Sequence, residues 1–207
     1  MTDPDEALRW TRLGTRPLLD ASPWLRVHAD RLRRPDGSEV DDFLRIEAPD
    51  YAVIFAVTPA IPGASGGRNG GRNRGAPQVV TVRQYKAATE EVVLALPAGR
   101  LDPGETPEEA AHRELREETG YVAARWEYLG AYATHGNWGA GNAHLFLAHD
   151  AVPAGAPQND AHEPLTVALR PLEQIEMALR HNELRELCTV ACAALAMARL
   201  SGSHARE

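Results

Sequence analysis

Apolar and polar residues alternate along residues 24–34 (WLRVHADRLRR) and again along 39–46, with Pro35-Asp36-Gly37 between them. A period of two on either side of a turn predicts a pair of antiparallel strands. Residues 51–58 (YAVIFAVT) are apolar almost without a break, as a strand covered on both faces is. Its partner is expected at 79–85, and further strands at 91–96, 126–134, 144–149 and, more briefly, 165–170. Elsewhere the spacing turns helical. Pro171 opens one helix with Leu172, Ile175 and Leu179 on one side, and Asn182 is expected to cap a last helix carrying Leu184, Leu187, Cys188, Ala191 and Leu195. Residues 1–16 read as a loose lead-in, 17–200 as one domain whose first part, 17–48, is the strand pair, and 201–207 as a tail.

Residues 62–77 interrupt this pattern. GGRN occurs there twice in tandem, and glycine and arginine at such density cannot build a core, so a flexible insertion is expected.

Composition narrows the class. A chain of 207 residues with 43% apolar content is long enough for one good core. Its net charge is −7, and residues 102–118 alone hold seven acids against two arginines. Long nucleic acids need a basic face, so they are not expected as partners. Cys188 and Cys192, one helical turn apart in an alanine-rich segment, read as small apolar packing residues. No apolar run approaches membrane-spanning length and no signal-type run begins the chain, so the reading is a cytoplasmic protein with no membrane partner.

The concentrated acid carries the chemistry. Thr106, Pro107 and Glu109 form a helix start with a hydroxyl cap, a proline at the first helical position and a capping-box glutamate; Gly120 supplies the stop. Between them Glu114, Glu117 and Glu118 stand at i, i+3 and i+4 and share one face. A glutamate-rich helix is by itself an ordinary solvated face. Here it follows a Pro/Gly-shaped loop, residues 97–104, that aims backbone at the same place, and Arg113 is positioned to pair with Glu105 and Glu117. Oxygen ligands of this kind suit Mg²⁺ or Mn²⁺.

These residues resemble the Nudix signature: a glycine, five residues, a glutamate, seven residues, then REUxEExGU, with U bulky and apolar. Gly99, Glu105, Arg113, Glu114, Leu115, Glu117, Glu118 and Gly120 match it, and only Tyr121 departs from the usual aliphatic residue. The resemblance implies an α/β fold, a Nudix α/β/α sandwich with a mixed sheet plus the N-terminal antiparallel strand pair, with 97–121 as its loop-helix-loop. It also implies hydrolysis of a nucleoside diphosphate linked to another group.

Further features are similar to the ADP-ribose and nucleotide-sugar pyrophosphatase branch: Arg83-Gln84-Tyr85-Lys86, Pro97-Ala98-Gly99 and residues 144–148 (HLFLA). Carried over, the resemblance makes the Ala98 carbonyl, Glu114 and Glu118 metal ligands, with Glu117 a further or bridging one. Lys86, Arg83 and Arg100 become substrate contacts. Beside the resemblance, the Trp138 indole reads equally as a stacking surface for a base or ribose and as a loop anchor, and Trp24 reads as the same surface supplied from a partner subunit or, first, as a core residue. The general base falls on the loop before the last helices, at Glu163, with Asp160 and Glu117 as alternatives. A homodimer built on the N-terminal strands is implied as well. Two positions depart from the branch: Ala95 replaces a usual glutamate, and His135-Gly136-Asn137-Trp138 replaces a Pro-Gly pair. ADP-ribose, cleaved to AMP and ribose 5-phosphate, is the expected substrate; UDP-glucose or GDP-mannose, or a nucleotide sensor that cleaves nothing, are the alternatives.

Overall fold

The computed structural model describes residues 5–60, 75–158 and 164–203. The GGRN repeat, Asp160 and Glu163 lie outside them. The chain divides into two compact units, residues 1–50 with 133–142, and residues 51–132 with 143–207.

The first unit is an antiparallel meander of β1 (Thr11–Ala21), β2 (Leu25–Arg33) and β3 (Glu39–Glu47). The strand pair expected at 17–48 is therefore three strands, because part of the expected lead-in folds as β1. Its alternation is hidden in the sequence: Gly14 and Pro17 flank two register shifts that leave Leu13 and Leu18 as extra residues. Within this meander Asp30 is 1% exposed. It accepts hydrogen bonds from Arg45 Nε and Thr15 Oγ1, both at 2.7 Å, and Arg12 Nε stands 3.1 Å away. Burial disfavours the carboxylate, yet these donors hold the Asp30 pKa below its ordinary value.

The second unit begins with β4 (Tyr51–Val57), β5 (Gln78–Lys86), β6 (Glu91–Ala95), β7 (Ala98–Arg100) and α1 (Pro107–Thr119). It continues through β8 (Tyr121–Val122), β9 (Arg125–His135), β10 (Gly139–His149), β11 (Val152–Pro153), β12 (Leu165–Pro171), α2 (Leu172–Arg180) and α3 (Leu187–Ser203). The end of β9, its turn and the start of β10 count with the first unit.

β4 explains its own apolar run. Ala52, Ile54 and Ala56 face Ala110, Ala111 and Leu115 of α1, whereas Val53, Phe55 and Val57 share a core with Ile175 and Ala178 of α2 and Cys192, Ala193 and Ala196 of α3. Both faces are covered, so the alternation disappears, and the unit is an α/β/α sandwich. The expected β5 partner meets β4 only at Ala56↔Val80 and Val57↔Val79. The longer ladder runs parallel to β10, from Ala143↔Tyr51 to Ala148↔Ala56, and β7 fills the other edge of β4 through Gly99↔Ala52 and Ala98↔Val53. β5 pairs in turn with β6 and β12, so the sheet is mixed.

Asn182 does not cap α3. It adopts a positive φ of 57° in the turn after α2, a conformation asparagine tolerates, and Leu184 bridges to Leu94 before the helix begins at Leu187. Among the described residues no helix is long and apolar enough to cross a membrane, which bears only on helical spans.

Candidate active site

α1 begins and ends where its sequence says it should. Thr106 Oγ1 accepts from the Glu109 N–H at 3.3 Å while the Glu109 carboxylate accepts from the Thr106 N–H at 2.8 Å, and Gly120 closes the helix in the left-handed conformation at φ 73°. Ala110, Ala111 and Leu115 are fully buried against the sheet, so burial of Leu115 alone contributes on the order of 2 kcal/mol. That anchorage fixes the rotation of the helix. Its acidic face is thereby held beside β7.

Arg113 organises the face. Its Nε and Nη2 each donate to Glu105 at 2.8 Å, Nη1 donates to Glu114 at 2.6 Å and reaches Glu117 at 3.4 Å, and Nη2 also donates to the Arg100 carbonyl at 2.9 Å. One guanidinium thus ties the end of β7, the loop before α1 and two glutamates of the helix together. The hydrogen bonds from Arg113 hold the Glu105 carboxyl below its ordinary pKa. Glu114 goes the other way: burial pushes its pKa up, against the pull of Arg113.

Backbone closes the arrangement. The Glu118 carboxylate accepts from the Ala98 N–H at 3.0 Å. A Cβ placed on Gly99 would overlap the Glu114 carboxyl group, so only glycine leaves room for that side chain against β7. Ala98, Glu114, Glu117, Glu118 and Arg113 are therefore gathered in one place. Among the described residues no three His, Cys, Asp or Glu side chains close into a ready-made metal cluster. The cause is visible in the contacts: like charges repel, and Glu114 and Glu118 are drawn to Arg113 and the Ala98 N–H respectively.

Lys86 forms an ion pair with Glu186 at 3.5 Å, and Arg83 is exposed on β5 opposite Leu94 and Thr166. Arg100 is exposed at the end of β7, tied to Arg113 through its carbonyl. Trp24 and Trp138 belong to the first unit, where both are exposed. Glu163 lies outside the described residues. Sequence reasoning missed the approach of Gly99 to Glu114 and the Ala98 N–H bond to Glu118. The fixed glycine of the signature was the available signal for the first; nothing local announced the second.

Residues 69–188 match the NUDIX domain, and residues 10–43 match the nucleoside diphosphate sugar hydrolase N-terminal domain. The ADP-ribose pyrophosphatase of Bacillus subtilis (strain 168) is 37% identical over 73 residues, which are 35% of this chain and 40% of that protein. The ADP compounds hydrolase NudE of Escherichia coli (strain K12) is 29% identical over 124 residues, 60% of this chain and 66% of its own. These alignments take in less than two thirds of each relative's length. A crystal structure of an ADP compounds hydrolase superposes with a TM-score of 0.74, at 22% identity, over 94% of this chain and 96% of that one; the likeness is one of fold.

Proposed function

This chain belongs to the NUDIX family, and from that premise we propose that it is a divalent-metal-dependent hydrolase that splits the pyrophosphate of a nucleoside diphosphate sugar. The observation that carries the reading is the Arg113-centred gathering of Glu105, Glu114 and Glu117 beside β7, with Glu118 bound to the Ala98 N–H. ADP-ribose, yielding AMP and ribose 5-phosphate, is the substrate favoured by the names of the relatives.

The donors fit a hard cation. All are oxygens, the glycine cradle leaves Glu114 its space, and burial makes an uncompensated carboxylate there costly, which a cation relieves. Mg²⁺ or Mn²⁺ would be held by Glu114, Glu118, the Ala98 carbonyl and Glu117. When bound, it supplies charge neutralisation at the phosphates and an acidified water.

The chain's own residues do the rest. Arg113 keeps Glu105 and Glu114 in place, and Arg100, Arg83 and Lys86 are the cations proposed to meet phosphate. The base that takes the proton of the attacking water is assigned to Glu163, with Asp160 and Glu117 as alternatives.

A homodimer formed through the first unit is part of the proposal. Leu13, Leu18 and Leu19 on β1, with Leu8, Trp10 and Leu44, are exposed large apolar residues of that unit, the surface a second copy would cover. Sedimentation equilibrium tests it.

One assay tests the activity: purified protein with Mg²⁺ and ADP-ribose, UDP-glucose, GDP-mannose or a diadenosine polyphosphate, followed by phosphate release after phosphatase coupling. Turnover of ADP-ribose supports the reading. Turnover of UDP-glucose or GDP-mannose instead reassigns the sugar, and tight binding without turnover makes the protein a sensor.

A further inference from the structure

The last turn of α1 carries Glu117 and Glu118, and its backbone is closed by donors from outside the helix. Gly120 leaves the helix at φ 73°, so Tyr121, whose N–H would continue the helical ladder to the Glu117 carbonyl, donates instead to Thr119 Oγ1 at 3.1 Å. Thr119 Oγ1 in turn donates to the Leu115 carbonyl, and the Gly120 N–H reaches the Arg116 carbonyl at 2.8 Å. The intrahelical donor for the Glu117 carbonyl is thereby diverted.

Its replacement comes from far along the chain, within the same unit. β11 pairs with β8 through Val152↔Val122 and Pro153↔Tyr121, which lays residues 154–158 across the end of α1. The Ala154 and Gly155 N–H groups donate to the Gly120 carbonyl at 2.8 and 3.2 Å, and the Gln158 N–H donates to the Glu117 carbonyl at 2.7 Å. The fit is close. A Cβ on Gly120 would stand 2.3 Å from the Gly155 carbonyl oxygen, and Pro153 and Pro157 stiffen the run on either side of it.

We propose that the Gln158 backbone N–H is a positioning group for the metal site: by holding the Glu117 carbonyl it fixes the turn from which the Glu117 and Glu118 carboxylates reach a divalent cation. The two glutamates differ in how they are braced. The Glu118 carboxylate accepts from the Ala98 N–H at 3.0 Å, whereas that of Glu117 has longer contacts, to Arg113 at 3.4 Å and Arg116 at 4.0 Å. The place of Glu117 therefore depends more on its backbone. Water or a local turn is enough to close a helix end. A donor brought from another segment onto the carbonyl of one ligand places that ligand as well, as groups behind a metal ligand do. This rests on the divalent-metal site proposed above, and it adds to that site a residue outside the signature.

The test uses the full-length protein and Mn²⁺ alone, the free ion being read by electron paramagnetic resonance. Gln158→Pro removes the N–H and should weaken Mn²⁺ binding by about tenfold, the scale expected when a group that orients a ligand is lost. Gln158→Ala keeps the N–H and should bind as wild type does. Because coupling is reciprocal, Mg²⁺ should also slow hydrogen exchange of the Gln158 amide in the wild-type protein, by a similar factor and with no variant needing to fold. Wild-type Mn²⁺ affinity in a folded Gln158→Pro protein overturns the proposal, as does a Gln158 amide whose exchange ignores Mg²⁺. An equal loss in Gln158→Ala overturns it too, by giving the effect to the side chain. A wild type that binds no Mn²⁺ defeats the metal site and the tether together; a wild type that binds Mn²⁺ no better than Gln158→Pro defeats the tether alone.

Discussion

Gly99 lies directly against the carboxyl group of Glu114, so closely that a single methyl group on Gly99 would occupy the same space. The relationship joins a strand residue to a helix residue fifteen positions later. Gly99→Ala should therefore move the Glu114 side chain while leaving α1 packed through Leu115. We expect a fall in kcat of roughly a hundredfold, as for a misplaced catalytic group, with thermal stability nearly unchanged. A variant with wild-type kcat would mean that Glu114 need not stand where Gly99 lets it.

Glu118→Gln keeps an oxygen that can accept the Ala98 N–H but removes a metal-binding charge. The folded protein should persist, with circular dichroism and melting temperature near wild type, while Mg²⁺-dependent turnover is lost. Glu117→Gln is expected to behave alike. Wild-type rates in either variant would remove that residue from the ligand set.

Glu163→Gln should slow turnover by roughly two to four orders of magnitude with Mg²⁺ affinity retained, as loss of a general base does. If the rate barely changes, Asp160→Asn and Glu117→Gln are the next variants, and the one that loses the basic limb of the pH–rate profile holds the role.

Asp30 ties stability to pH. Burial opposes its charge, but Arg45, Thr15 and Arg12 keep its folded pKa below the ordinary 3.8. A depressed carboxyl pKa gives stability that is complete above the unfolded value and drains away as pH falls through the folded one. Asp30→Ala should cost about 3–5 kcal/mol near neutral pH, because it strands the Arg45 guanidinium. Urea melts of both proteins should show that gap shrinking below pH 3.8; a constant gap would show that the carboxylate charge contributes nothing.

Cys192 is fully buried, with its sulfur 3.6 Å from the Val53 carbonyl and 3.7 Å from that of Phe146. Burial pushes its thiol up to about 12. Thiol reagents at mildly alkaline pH should leave Cys192 untouched in the native protein and modify it only in denaturant, as peptide mapping will read out. Rapid native labelling would place the thiol nearer solvent than α3 allows.

Much of the site was legible because it is local. Thr106, Pro107, Glu109 and Gly120 mark both ends of α1 within the chain itself, and Glu114, Glu117 and Glu118 share a face through helical spacing alone. β1 was not legible, since Gly14 and Pro17 break its alternation at the register shifts. The start of α3 was misread for a similar reason: asparagine suits both a helix cap and a left-handed turn, and at Asn182 the turn prevails.

The amino-acid order by itself determined where the acidic helix starts and stops and which side it shows, because hydrogen bonds between near neighbours decide those things. Tertiary structure decided the rest. The parallel ladder that places Ala143 beside Tyr51, the approach of Gly99 to Glu114 and the pinning of Trp138 by Ile46 all join segments whose meeting depends on how sheet and helices bury their apolar faces together. No local pattern encodes such a meeting, since its free energy comes from surfaces far apart in the chain.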